Sequence, residues 1–379
     1  MKGIYLDNSA TTRVCEKSAE KVMELMTRCY GNPSSLHKKG LEAQKEVSRA
    51  RQAVAASLSA EPREVIFTSG GTEANNMAVL GGAAANRRRG SRIVTTAIEH
   101  PSVLEPMRQL QKEGFDVVFL SPDQTGRIPE EAIYQAVDRE TILVSVMAVN
   151  NELGSVQPIE ILKKAVKRAC APALIHVDAV QAYGKLPLKP EKLGVDLMTV
   201  SGHKIHGPKG IGALYLGKNA RILPRAFGGG QERGLRPGTE AAPLIAGFGA
   251  AVEALPPWKE AYAQIEALRD YGLERLSRVP GVEINSVKES LPYLLNFSAL
   301  GVRSETMLHF LAQRGIYVSS GSACAKGEQS YVLKAAGLPE NRISSAIRAS
   351  FSRENTKKDI DALAEGIQEG LACLARARR

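Results

Sequence analysis

Between Val65 and Leu216, short apolar runs alternate with helical patterns, and this alternation constrains the fold more than any other feature. The runs are Val65–Phe67, Ile93–Ala97, Val117–Leu120, Ile142–Val149, Leu174–Val177, Leu197–Val200 and Ile211–Leu216. Each has the length of a strand and is bounded by turn residues. Helical spacing falls between most of them: one pattern through Ala74, Met77 and Leu80, and others at 101–113, 130–138 and 158–171. Strand and helix in alternation predict an α/β fold with a mostly parallel seven-stranded sheet covered on both faces.

The flanks are organised differently. Ile4–Leu6 reads as a short strand and Glu16–Cys29 as a helix. A longer helix is expected from His37 to about Ser59, with Leu41, Val47, Val54 and Leu58 on its apolar face. Pro256-Pro257 marks a boundary, after which come a helix from Trp258 to Ser277, strands near 282–286 and 293–298, and a helix at 304–314. Strand Ile316–Val318, a strand near 346–350 and a closing amphipathic helix follow. With 379 residues there is room for two domains. The expected division is a large domain at 13–255 and a smaller α+β domain made of 1–12 and 256–379.

Composition excludes several classes. Apolar content of 44% and charged content of 24% are ordinary for a globular protein. The longest apolar run, Ile142–Val149, is broken by Ser145 and too short to span a bilayer, and the opening MKGIYLDNSATT lacks a secretory core. A cytoplasmic protein is expected. The net charge of +10 is spread along the chain, apart from Arg87-Arg88-Arg89, and aromatics are only 5%, so no direct nucleic-acid role is expected. The five cysteines, Cys15, Cys29, Cys170, Cys324 and Cys373, are odd in number and far apart, which argues against a disulfide framework or a zinc site. His203 and His206 lack a third ligand nearby, so no metal is expected.

Chemistry gathers where the strands end. Val65–Phe67 runs into Thr68-Ser69-Gly70-Gly71-Thr72-Glu73 and then a helix, an arrangement that suits either an anion or a plain N-cap. His100 lies just past the second run, Asn150-Asn151 past the fourth, Asp178 at the close of the fifth with Gln181 three residues on, and Lys204 beyond Ser201-Gly202. In an α/β sheet the carboxyl ends of the strands hold the ligand. A lysine hemmed by other cations there can act as an amine nucleophile. Together with an aspartate and a phosphate cradle, these residues suit pyridoxal 5'-phosphate.

The strings FTSGGTEANN, AIEHPSV, VNNELG, HVDAVQ, SGHKIHGPKGIG, RPGTE and SSGSAC occur in that order. On them, the chain resembles the cysteine desulfurases of the NifS/IscS type, in the class V aminotransferase superfamily of fold-type I pyridoxal-phosphate enzymes. The resemblance runs over nearly the whole chain. It implies that Lys204 is the Schiff-base lysine, that Asp178 pairs with the pyridine nitrogen, and that Gln181 bonds the ring hydroxyl. It implies that His100 stacks on the ring and shuttles protons. Gly71, Thr72, Ser201 and His203 would bind the phosphate, joined by Thr239 from the partner subunit of a homodimer. Arg348, in AIRASFSR, would clamp the substrate carboxylate with help from Asn151.

Cys324 would be the nucleophile that takes sulfur from L-cysteine, leaving L-alanine. Its Ser/Gly-rich setting, followed by Ala325-Lys326-Gly327-Glu328, is too polar for a core. The resulting persulfide would serve a sulfur-acceptor protein, an iron–sulfur scaffold or a tRNA thiolation enzyme. The segment between Cys324 and Tyr331 is shorter than the family's usual form, which bears on which acceptor it reaches. Selenocysteine lyase on the same scaffold is the alternative reading.

Overall fold

The computed structural model describes residues 3–320 and 329–374. Its strands are β1 (Ile4–Tyr5), β2 (Val65–Thr68), β3 (Arg92–Thr96), β4 (Asp116–Leu120), β5 (Thr141–Met147) and β6 (Leu174–Asp178). These are followed by β7 (Leu197–Ser201), β8 (Gly212–Leu216), β9 (Val282–Ile284), β10 (Leu294–Ala299), β11 (Ile316–Tyr317) and β12 (Ala346–Ser350).

The expected seven-stranded sheet forms, in the order β2-β8-β7-β6-β5-β3-β4. Strand β8 runs antiparallel to both of its neighbours and the remaining pairs are parallel. Every residue of β5, β6, β7 and β8 is buried, because helices cover both faces; that is why these segments read as unbroken apolar runs. A short loop joins β7 to β8, and its residues carry the lysine.

Two smaller sheets complete the chain. Strands β12-β10-β9 are antiparallel, while β1 pairs parallel with β11. Bridges from Asp7 to Ser350 and from Ser319 to Arg348 tie these sheets together, so the start of the chain is sewn to its last third.

The helix Ala242–Glu253 packs closely against both Glu16–Thr27 and Lys38–Ser57. Small residues permit the approach: a Cβ at Gly249 would fall 2.6 Å from the Ala50 side chain, and Ser18 donates to the Gly247 carbonyl at 2.8 Å. The buried face of Lys38–Ser57 is Ala43, Val47, Ala50 and Val54. Leu41, expected on that face, is 55% exposed, because small residues rather than leucine make this contact. The helix begins one residue later than expected, with His37 as its N-cap accepting from the Gly40 amide at 3.3 Å, and ends at Ser57, before the left-handed Ser59. After β2 the helix Gly71–Asn76 loosens into a π-helical turn at Met77–Gly81 where Gly81 closes on Leu223. No helix among the described residues is long and apolar enough to cross a membrane.

Candidate active site

The site lies at the carboxyl ends of the parallel strands. Lys204 follows β7 in a single 3₁₀ turn, Gly202–Lys204. Its amine donates to the backbone carbonyls of Ser9 and Ala10, the latter at 2.9 Å. The chain's opening segment therefore forms one wall of the site: Thr12 also bonds the His203 carbonyl, through its amide at 2.9 Å and its hydroxyl at 2.9 Å.

Asp178 closes β6 and is buried. One oxygen accepts from the Val180 amide at 2.9 Å and the other from Asn75 Nδ2 at 2.7 Å. Asn75 also donates to Ser102 Oγ at 2.8 Å, and Ser102 Oγ lies 2.8 Å from His100 Nδ1. That nitrogen accepts from the Ser102 amide at 3.1 Å, so it is unprotonated and the ring's proton sits on Nε2. Burial holds the His100 pKa below the ordinary histidine range, with the Asp178 charge opposing and the Lys204 charge adding to the shift. His100, Asp178 and Lys204 thus share one electrostatic neighbourhood.

Beside it lies a cavity of 410 Å³ lined by Ser69, Gly70, Gly71, Thr72, Ser201 and His203, with the exposed Lys209 at its rim. Close contacts shape it: a Cβ on Gly71 would stand 2.9 Å from Val180 Cγ2 and one on Gly212 2.8 Å from the Gly70 backbone. The Ser201 hydroxyl is buried without a hydrogen-bond partner. An orphaned buried hydroxyl on a glycine-lined wall fits an anionic group such as a phosphate. His203 has its pKa pushed down to about 4, by burial first and then by Lys204 and Lys209, so it faces the cavity uncharged.

Arg348, on β12, is only 3% exposed. It donates to the Asn151 carbonyl at 2.8 Å and to Asp7 Oδ1 at 2.9 Å, and its buried Nε has no partner among the described residues. The Asn151 side-chain oxygen is likewise unpartnered. Gln181 donates to the Ser9 carbonyl at 3.0 Å and accepts from Lys185 at 3.2 Å.

The structure therefore brings Gly71, Thr72, Ser201 and His203 around one cavity, and His100, Asp178, Gln181 and Lys204 beside it, with Asn151 against Arg348. Thr239 is exposed, and its neighbours Gly238 and Glu240 line a smaller cleft that reaches Ser69 and Gly210. Cys324 lies outside the described residues. The described flanks of its segment are anchored: Ser319 pairs with the Arg348 backbone, and Ser330 donates to the buried Glu152 carboxylate.

Sequence reasoning missed several groups. Asp7, the ion-pair partner of Arg348, stands in the YLDNSATT string, and Asn75, which holds Asp178, stands in FTSGGTEANN. Glu99 is fully buried between β3 and β5, accepting from Thr96 at 2.8 Å and from the Met147 amide at 2.8 Å. Burial pushes its pKa up to about 8.

The aminotransferase class-V family profile matches residues 4–363. The chain is 42% identical over 382 residues to the putative cysteine desulfurase IscS 1 of Bacillus subtilis (strain 168), covering 97% of this chain and 98% of that protein. It is 40% identical over 372 residues to the cysteine desulfurase IscS of Methanosarcina thermophila, covering 97% and 92%. Among solved structures, a NifS-like protein superposes with a TM-score of 0.92 at 40% identity, over 98% of this chain and 99% of that one. SspA in complex with cysteine superposes with a TM-score of 0.82 at 34% identity, over 93% and 99%.

Proposed function

The chain belongs to the aminotransferase class-V family, as a pyridoxal-phosphate enzyme of the cysteine desulfurase type, and from that premise we propose how its own residues carry sulfur from L-cysteine to an acceptor. The observation that carries this reading is the convergence of Lys204, Asp178 and His100 beside a cavity with an orphaned buried hydroxyl.

Pyridoxal phosphate, when bound, supplies an electron sink for charge that develops at the substrate α-carbon. Gly71, Thr72, Ser201 and His203 would hold its phosphate, Asp178 the ring nitrogen, Gln181 the ring hydroxyl and His100 the ring face, with Lys204 as the covalent anchor. Asp178 suits its part because each oxygen has one donor already and a free lone pair remaining. Thr239 of a second copy would complete the phosphate site in a homodimer.

Arg348 would receive the substrate carboxylate with help from Asn151: its Nε and the Asn151 side-chain oxygen are a buried donor and a buried acceptor that no described group satisfies. Lys204, unprotonated, would take the α-proton at its Nζ. His100 would hold or pass a proton at Nε2.

The Cys324 thiolate would then attack the substrate sulfur. The new S–S bond forms as the substrate C–S bond breaks, and its electron pair stays with the carbon skeleton, which takes up a proton and leaves as L-alanine. No outside oxidant is needed, because the carbon that keeps the electron pair is reduced by the same two electrons that the transferred sulfur gives up. The persulfide on Cys324 would pass to an acceptor protein of iron–sulfur cluster assembly or tRNA thiolation.

Borohydride reduction of the holoenzyme followed by peptide mapping tests the anchor, and alanine and sulfide release from L-cysteine tests the reaction. Label on the Lys204 peptide together with alanine formation is expected. Label on another peptide overturns the site, and selenocysteine turnover without cysteine turnover overturns the substrate.

A further inference from the structure

Lys185 is a buried cation for which the mechanism above has no use. It lies in the turn after β6, is 7% exposed, and no carboxylate among the described residues neutralises it. Its contacts are the Gln181 side-chain oxygen at 3.2 Å and the face of Tyr293, 5.5 Å from the ring centroid. It shares with Lys204 a narrow cavity that Asn8, His206 and Tyr293 also line. We propose that Lys185 is a positioning residue of the catalytic site, fixing the orientation of the Gln181 amide and biasing the Lys204 amine toward its unprotonated form. This rests on the assignment of Lys204 as the cofactor-bearing amine.

The first part follows from donor and acceptor inventories. Lys185 donates to the Gln181 side-chain oxygen at 3.2 Å, so that oxygen faces Lys185. The Ser9 carbonyl only accepts, so the Gln181 nitrogen must face Ser9. With both ends fixed, the amide cannot flip, and its second N–H remains available as a donor within the site. Ser9 is also an acceptor for Lys204, so one carbonyl joins the two lysines through Gln181.

The second part is electrostatic. The groups acting on Lys185 are Lys204 from the loop after β7 and Arg348 from β12, and Lys185 in turn acts on His203 and His206. Asp7, which feels the Lys204 charge, is paired with Arg348. Burial first, then Lys204 and Arg348, brings the Lys185 pKa down to about 7. Repulsion between two amines is mutual, so a proton on Lys185 disfavours one on Lys204.

The test compares holoenzyme with Lys185→Met, which keeps the stem, and Lys185→Arg, which keeps charge and donor. The pH midpoint of the cofactor's visible band, measured without substrate, should rise by roughly half a unit or more in Lys185→Met, as expected on losing one nearby charge. Lys185→Arg should return it toward the parent. Unfolding temperature should hold or rise in Lys185→Met, since an unneutralised buried charge is removed. An unmoved midpoint in Lys185→Met overturns the proposal, as does an equal displacement in both variants. If the midpoint shifts as expected while the parent fails to release alanine from cysteine, the substrate reading falls and the role of Lys185 stands. If cysteine turnover is intact and the midpoint does not move, the role of Lys185 falls alone.

Discussion

Replacing Glu99 by glutamine should flatten the pH dependence of stability. The carboxyl is fully buried beside Asp178, and burial raises its pKa from 4.5 to about 8. In the unfolded chain it ionises near 4.5, so between 4.5 and 8 the folded state holds one proton more than the unfolded state. Stability from this group is complete below the lower value and is lost as pH rises through the upper one. A shift of that size is worth roughly 5 kcal/mol across the window, at about 1.4 kcal/mol per unit. For 379 residues, with about 2 cal/mol/K of unfolding entropy each, that corresponds to about 6 °C in melting temperature. Glutamine mimics the protonated acid: its oxygen can still accept from Thr96 and Met147. Thermal unfolding of parent and Glu99→Gln, followed from about pH 5 to about pH 9, should give curves that nearly coincide at the acid end, separate progressively up to about pH 8 as the parent falls faster, and keep a constant gap above it. Curves that stay parallel would refute the argument that Glu99 is buried as the neutral acid. A neutral Glu99 adds no charge beside Asp178, the residue proposed to pair with the ring nitrogen.

Three further outcomes are expected. Arg348→Ala leaves the half-buried Asp7 without its ion-pair partner and should cost about 1–3 kcal/mol in urea unfolding, while raising KM for cysteine; an unchanged KM would remove it from substrate binding. Cys324→Ser should retain the visible absorbance of the bound cofactor and form no persulfide by mass spectrometry, and an active serine variant would exclude Cys324 as the sulfur acceptor. Gly249→Ala should lower stability by about 1–3 kcal/mol through its 2.6 Å approach to Ala50, with activity per folded molecule unchanged.

The central sheet was legible because β5 to β8 are buried on both faces and keep their apolar runs whole. The reversal of β8 was not, since direction depends on where the chain after Lys204 can return, and no local residue preference encodes it. Lys204, Asp178 and His100 could be placed at one edge because each lies at or just past the end of a strand. Asp7 and Arg348 meet across 341 residues of sequence, and their pairing exists only once the segment after β1 lies beside β12. Leu41 shows the opposite failure: helical periodicity marked it as inward, whereas the helix rolls onto its alanines to approach Gly249. Lys185 looked like any surface lysine, because burial of a cation leaves no trace in its spacing.

The opening segment of the chain spans the whole machine. Between Ile4 and Ala10 it zips onto β11, grips the guanidinium of β12, and offers its own carbonyls to the reactive amine. Trimming or displacing those residues, as a badly placed fusion partner would, removes a wall of the site rather than a dispensable tail. Any rocking of the C-terminal sheets on substrate arrival would also tug directly on the lysine's hydrogen-bond acceptors, through a tether with little slack.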